Sequence, residues 1–327
     1  MLAFIIRRLF QGIIVMLAVG LVAFSLFNFV GDPINSLVGI DTPLDEREKL
    51  REQLGLNDPF PIQFGRFVLN AVQGDFGLSY RMSEPVMGVI GSRLPATVEL
   101  SLVAAVIALV LGVGMGVFTG LYPRAALSRI MLTISLVGVS LPTFLTGILL
   151  ILVFAVWLGM LPSFGRGEVV QIGWWSSGFL TETGLRALIL PAVTLGLFQL
   201  TLIMRLVRSE MLEVMRTDYI KFARARGLSN RAINFGHALK NTLVPVITIT
   251  GLQLGAIIAF SIITETVFSW PGMGQLFIQS VQSVDIPVMA TYLVLIALFF
   301  VVINLVVDLL YYAVDPRLRF DGTKGGH

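Results

Sequence analysis

The sequence predicts an all-α membrane protein with six transmembrane helices. Three observations carry that reading: a composition too apolar for a water-facing surface, six apolar runs of spanning length, and positive charge that alternates from one connection to the next. The 327 residues are 56% hydrophobic and 13% charged, with a mean hydropathy of +0.87. A soluble domain carries about 25% charged residues, so lipid must be the solvent for much of this chain. The net charge of +3 is too small to argue for a nucleic-acid partner. There are no cysteines, which excludes disulfides, thiolate catalysis and cysteine-ligated metals.

A helix needs about 20 apolar residues to cross about 30 Å of hydrocarbon. Leu9 to Val30 is the first such run. Arg7 and Arg8 precede it as in a signal sequence. The run is longer than a cleavable core, however, and Gly31-Asp32-Pro33 follows it with no small-x-small site, so it reads as a retained anchor. The other five runs are Leu100 to Tyr122, Met131 to Leu158, Ala187 to Met204, Leu243 to Thr264 and Pro287 to Val314.

Lysine and arginine collect on the cytoplasmic side of membrane proteins. Taking alternate segments, fifteen lie at the N-terminus, in the second and fourth connections and in the C-tail, against eight in the longer loops between them. Eight of the fifteen sit in one loop: Arg205, Arg208, Arg216, Lys221, Arg224, Arg226, Arg231 and Lys240. The alternation holds at every crossing, which places both termini in the cytoplasm.

The loop from Arg205 to Asn241 is too charged to cross lipid and too patterned to be a connector. Leu212, Met215, Tyr219 and Phe222 fall at helical spacing. Thr217 and Asp218 read as a helix start, with an oxygen for the free N–H groups and a carboxylate at the positive dipole end. Gly227 reads as the stop and Ser229 as the next cap. A short helix over Asp218 to Arg226 follows. Such a helix fits a groove on a partner protein, or rests on lipid headgroups.

The string YIKFARARGLSNRAINFGHALKNTLVPVI, Tyr219 to Ile247, resembles the EAA loop of binding-protein-dependent ABC importers. Within that superfamily it resembles the dipeptide, oligopeptide, glutathione and nickel branch, in its first permease subunit. In order along the chain, IIRRL (Ile5 to Leu9), GDP (Gly31 to Pro33), QLGL (Gln53 to Leu56), GDFGLS (Gly74 to Ser79) and PATVELSL (Pro95 to Leu102) agree with it. So do SLPTF (Ser140 to Phe144), VFSWPGMG (Val267 to Gly274) and NLVVDLLYYAVDPRLR (Asn304 to Arg319). The chain departs from the general EAA pattern in two places. His237-Ala238-Leu239-Lys240-Asn241 stands where Leu-Pro is usual, and Phe222 replaces the opening glutamate.

The resemblance implies a type I ABC importer permease with a cytoplasmic EAA coupling helix, multi-pass in a bacterial cytoplasmic (inner) membrane. Its partners would be a second homologous permease subunit, two cytoplasmic ATPase subunits and an extracytoplasmic solute-binding protein, besides membrane lipid. ATP and Mg would belong to the ATPase subunits, with no cofactor bound by this chain. The ATPase-coupling residues would be Asp218, Tyr219, Phe222, Ala223, Arg224, Ala225, Gly227 and Ser229. The chain then divides into a tail and first span (1–30), an extracytoplasmic loop (31–99), a permease core (100–319) containing the 205–242 loop, and a C-terminal tail (320–327). Peptides, glutathione and nickel chelates share this permease type, and by resemblance the solute-binding protein selects among them.

Gly112, Gly116 and Gly120 recur every four residues and predict a close helix-packing seam. Pro142 removes a backbone hydrogen bond from the third span, as a hinge beside the pathway or as a tolerated kink. Asp308 is a carboxylate inside the last span, which must face protein or water; a structural bond to a neighbouring helix and a pathway role both fit it. Glu265 lies at the outer end of the fifth span, before Trp270-Pro271-Gly272. With Pro142 and Asp308 it is a candidate pathway or hinge residue, and by resemblance its region is a short re-entrant element on the outer face, beside the solute-binding protein. Trp174 and Trp175 read as interfacial anchors. His237 stands alone, without a second histidine at metal-ligand spacing, and reads as structural.

A secondary transporter or channel, not coupled to an ATPase, is the alternative. It predicts charged pairs at mid-membrane depth and internal repeats, and neither is visible. An intramembrane enzyme would need a nucleophile with its base, or H-E-x-x-H, and neither occurs. No lysine follows a glycine, so the chain has no Walker A phosphate loop.

Overall fold

The computed structural model describes residues 2–30, 34, 38, 42–53 and 55–314. Helix α1 (Leu2–Val30) leads to two short helices, α2 (Leu44–Gln53) and α3 (Phe60–Val72). Helices α4 (Val86–Leu121), α5 (Ala126–Ser140) and α6 (Thr143–Leu150) follow, and α6 widens into π-type turns over Ile151–Trp157. A two-stranded antiparallel hairpin, β1 (Val170–Ile172) and β2 (Trp175–Ser177), precedes α7 (Glu182–Val214). The rest is α8 (Asp218–Ala225), a π-type segment Ala232–Ala238, α9 (Leu239–Val267), α10 (Met273–Gln282) and α11 (Ile286–Val314).

Among the described residues, α1, α4, α7 and α11 are long and apolar enough to cross a membrane. Helices α5 and α6 qualify as a pair bent by 114°. The break falls at Pro142, the residue before α6, where the sequence predicts a disrupted helix. A proline also drives the residue before it out of the helical region, and Leu141 stands at the bend. In α9 the apolar stretch is the shorter Gly255–Val267.

Helix α4 begins well before the apolar run that starts at Leu100. Its added turns are amphipathic. Val86, Val89 and Ile90 are buried against Met273, Leu276, Val288 and Tyr292 of α10 and α11. Tertiary packing thus extends the helix through Arg93 and Glu99, which end the apolar run in the sequence.

The core is built on the contact of α4 with α7, which run parallel, Ala104 beside Gly196 at one end and Gly120 beside Met211 at the other. Gly112, Gly116 and Gly120 face Ile203, Val207 and Met211, so that a Cβ on any of the three would meet α7 at 3.0 Å or less. Gly196 of α7 returns the contact against the carbonyl of Ala104 at 2.8 Å. The glycine repeat is therefore the seam its spacing predicts: without side chains at these points the two backbones approach closely. Helix α1 lies along α11 in the same manner, Gly12 against Val301, and α3 holds α1 through Phe60, Phe64 and Phe67 around Phe24.

Candidate functional site at the α8 elbow and the α4 corner

Helix α7 ends at Val214 and the chain turns through Arg216 and Thr217 before α8 starts. Thr217 occupies the cap position without capping: its Oγ1 donates back to the Val214 carbonyl at 2.6 Å. Asp218 supplies the first-turn carboxylate and accepts from Lys221 Nζ at 2.8 Å, on the exposed side. Gly227 ends the helix with φ +77°, its N–H donating to Arg224 O, while Leu228 N–H reaches Ala223 O. Ser229 caps the following segment through Ala232 N–H.

The buried face of α8 differs from the one the spacing predicts. Ile220 and Ala223 are buried, against Met211, Ile233 and Ala238. Phe222 is 64% exposed and Tyr219 39% exposed. The stripe Leu212, Met215, Tyr219, Phe222 is counted across the Arg216–Thr217 turn. That turn resets the helical phase, so the first two residues say nothing about the last two. Arg224 and Ala225 are also exposed, and Arg226 lies over the Phe222 ring at 5.8 Å. Tyr219 is fixed at its far end: its hydroxyl accepts from Asn241 Nδ2 at 2.6 Å and donates to His237 O at 3.4 Å. The result is a short helix pinned from behind by apolar contacts and open in front with aromatic and basic groups.

The other sequence-marked residues lie apart from this elbow. Asp308 of α11 pairs with Arg8 of α1 at 3.0 Å. Two motifs from opposite ends of the chain, IIRRL and NLVVDLLYY, thus meet in one ion pair. Glu265 is fully buried near the C-terminal end of α9. Its Oε1 accepts from Thr97 Oγ1 at 2.7 Å and from Ser261 Oγ at 3.1 Å. Its Oε2 accepts from Gln275 N–H at 2.9 Å. Thr97 Oγ1 in turn accepts from Met273 N–H at 2.7 Å. The first turn of α10 has orphan amides, and residues distant in sequence satisfy them. Gly272 and Gly274 press against the same carboxylate, where a Cβ would stand 2.5 and 3.0 Å from its atoms.

Two further clusters are absent from the sequence reading. Glu99 of α4 is 2% exposed and Arg166, in the loop after α6, is 7% exposed. Arg166 Nη2 donates to Glu99 Oε2 at 2.7 Å and to Ser176 O at 2.6 Å. Glu99 also accepts from Gly178 N–H and from Trp175 Nε1. Trp175 is therefore half-buried and bonded inward, not the interfacial anchor its composition suggests, whereas Trp174 is exposed. Asp285, ahead of α11, accepts from Ser79 Oγ and from the amides of Tyr80 and Arg81. Burial, with the Asp285 carboxylate second, pushes the Tyr80 phenol up to about 12. One signal was readable: Glu99 is an acid immediately before the apolar run that starts at Leu100, and such a residue needs partners.

Among the described residues no group of three or more His, Asp or Glu is placed to hold a metal. The family described as binding-protein-dependent transport system inner membrane component matches residues 112–320, and its N-terminal counterpart matches residues 1–101. The dipeptide transport system permease protein DppB of Alkalihalophilus pseudofirmus is 37% identical over 98% of this chain and 100% of its own length. The glutathione transport system permease protein GsiC of Escherichia coli (strain K12) is 36% identical over the same shares. In fold, the chain is similar to the MetNI methionine ABC transporter in an inward-facing conformation, with a TM-score of 0.56 at 22% identity, over 72% of this chain and 100% of that one. The chain is a non-catalytic permease subunit of an ATP-driven importer, and a multi-pass membrane protein. It belongs to the family of inner membrane components of binding-protein-dependent transport systems.

Proposed function

We propose that this permease carries short peptides or peptide-like solutes such as glutathione, and that α8 is its coupling helix. The solute class is supported by the relatives named above, one a dipeptide and one a glutathione permease. The chain would cross the membrane six times, its termini and the 205–242 loop in the cytoplasm and residues 31–99 outside, as the charge alternation requires. A second permease completes the pathway, two ATPase subunits bearing ATP and Mg sit below, and a solute-binding protein delivers from above.

One observation carries the coupling role. Helix α8 is fixed on Ile220, Ala223 and the Tyr219–Asn241 bond, yet it presents Phe222, Arg224 and Arg226 outward. A rigid helix seated in a cleft passes on a rigid-body rotation, which a loose loop cannot do. Asp218 and Gly227 set its two ends, and Ser229 caps the segment that follows. The test is a Phe222→Cys variant of this cysteine-free chain, in an importer reconstituted with its ATPase. A bifunctional thiol reagent should join it to a cysteine on the rim of the ATPase cleft. Uptake of a labelled dipeptide and of glutathione should fall when that link forms. Free transport with the link in place would sink the coupling role, and uptake of neither solute would sink the substrate class.

A further inference from the structure

The outer corner does more than close the fold. One turn of α4, Ala96 to Glu99, holds two elements at once. Glu99 grips the loop and hairpin through Arg166, Trp175 and Gly178. Thr97 grips the start of α10 through Met273 N–H and the Glu265 carboxylate. Ala96 O accepts from Trp270 Nε1 at 3.0 Å, and the Trp270 ring lies under Arg166 at 6.0 Å. The two gripped elements also touch directly, Gly165 N–H donating to Phe268 O at 2.9 Å. Glu99, Arg166, Thr97, Glu265 and Trp270 are all buried. Water cannot replace a bond broken here, so each break leaves an unpaired buried group.

We propose that Ala96–Glu99 is a clasp that makes the β1–β2 hairpin and the α9–α10 corner one rigid body throughout the transport cycle. The two elements then move together with α4, as a single lid over the outer mouth, and neither opens alone. A network of this kind favours all-or-none behaviour, because removing one partner strands the others. Glu99 and Thr97 are positioning residues in this scheme and touch no solute. The inference rests on the importer reading only for the existence of a cycle and for which side is outermost.

The test uses the assembled importer in lipid nanodiscs, its other subunits made cysteine-free. Ile172→Cys on the hairpin and Val281→Cys on α10 are both exposed positions and take nitroxide labels. Their separation is read by double electron–electron resonance, at rest and after vanadate trapping with ATP. The clasp predicts one narrow distribution, its centre moving by less than about 2 Å between states. Glu99→Gln and Thr97→Val, close in shape to the parent residues, should each broaden it. Glu182→Gln, which breaks an exposed pair on the same side, should not. A shift of more than about 5 Å on trapping, one helical turn, overturns the proposal. So does a distribution that both clasp substitutions leave narrow. If either substitution blocks assembly, the parent's shift still decides. Solute uptake by the same preparation tests the importer reading separately.

Discussion

Replacing Gly116 by alanine puts a number on the α4–α7 seam. The new Cβ would lie 2.6 Å from Val207 Cβ and 2.8 Å from the Met204 carbonyl oxygen. The second neighbour is backbone and cannot rotate away, so the two helices must move apart. Overpacking of a tight contact costs about 1–3 kcal/mol, and a backbone neighbour puts this site towards the upper end. Alanine also gains about 1 kcal/mol over glycine in a helix interior, which opposes the loss. The net expectation is a destabilisation of about 1–2 kcal/mol. Gly114 separates the two terms. It lies on the same helix, exposed, with nothing within 4 Å of an added Cβ. Gly114→Ala keeps the propensity gain alone and should be neutral or stabilising by up to about 1 kcal/mol. The assay is unfolding of the two purified variants and the parent in matched detergent micelles, followed by circular dichroism against SDS mole fraction. If Gly116→Ala proves as stable as Gly114→Ala, the seam is not tight and the packing argument fails.

Three more expectations follow from the elbow and the topology. Ala223 is buried, so Ala223→Glu should destabilise the chain by about 3 kcal/mol or more through an unpaired buried charge; Phe222→Asp should leave the unfolding curve unchanged while co-purification with the ATPase is lost. Equal effects of the two on chain stability would mean that α8 is oriented otherwise. A Cβ at Gly227 meets no atom within 4 Å, so the main cost of Gly227→Val is the left-handed backbone, about 1–2 kcal/mol, and transport should fall with assembly intact; parent-like uptake would show that the helix stop is not needed. In the cysteine-free chain, Glu84→Cys should react with an impermeant maleimide on intact cells and Asn230→Cys only after permeabilisation; the reverse pattern refutes the orientation.

Four of the six apolar runs, those in α1, α4, α7 and α11, and a fifth as the bent α5–α6 pair, were legible because a span must be apolar along its whole length, and the break at Pro142 because proline chemistry is local; the run in α9 keeps only the short apolar stretch Gly255–Val267. The ends of α8 were legible for the same reason, since Asp218 and Gly227 act on their own turn. Its face was not. Periodicity continues through a turn on paper, whereas the chain restarts its phase after Thr217, and Ala223 went inward in place of Phe222. The outward reach of α4 was hidden by Arg93 and Glu99, because the sequence cannot show that Met273 and Leu276 wait beside Val86 and Ile90. The pairings at this corner were not legible: Glu99 and Arg166 stand 67 positions apart, Thr97 and Glu265 168 apart, and Ser79 and Asp285 206 apart.

The acidic residues of this chain carry a lesson about reading charge near a membrane. An ionisable group in a span is by default a functional candidate, because its burial is costly. That cost falls equally on a carboxylate that fastens two helices, and a fastener is worth more where water cannot compete for its bonds. Glu99, Glu265, Asp285 and Asp308 all lie at or within the apolar segments, and each has its oxygens engaged by another part of the chain. The joined pieces are α4 to the hairpin, α9 to α10, the loop before α4 to α11, and α1 to α11. Three of the four fastenings lie at the end of the bundle away from α8, and the fourth ties the first helix to the last. These four carboxylates therefore mark where one segment of the chain is fastened to another. The elbow at α8 shows the opposite arrangement, its buried face apolar and its charged groups turned outward, as the proposed coupling surface would require.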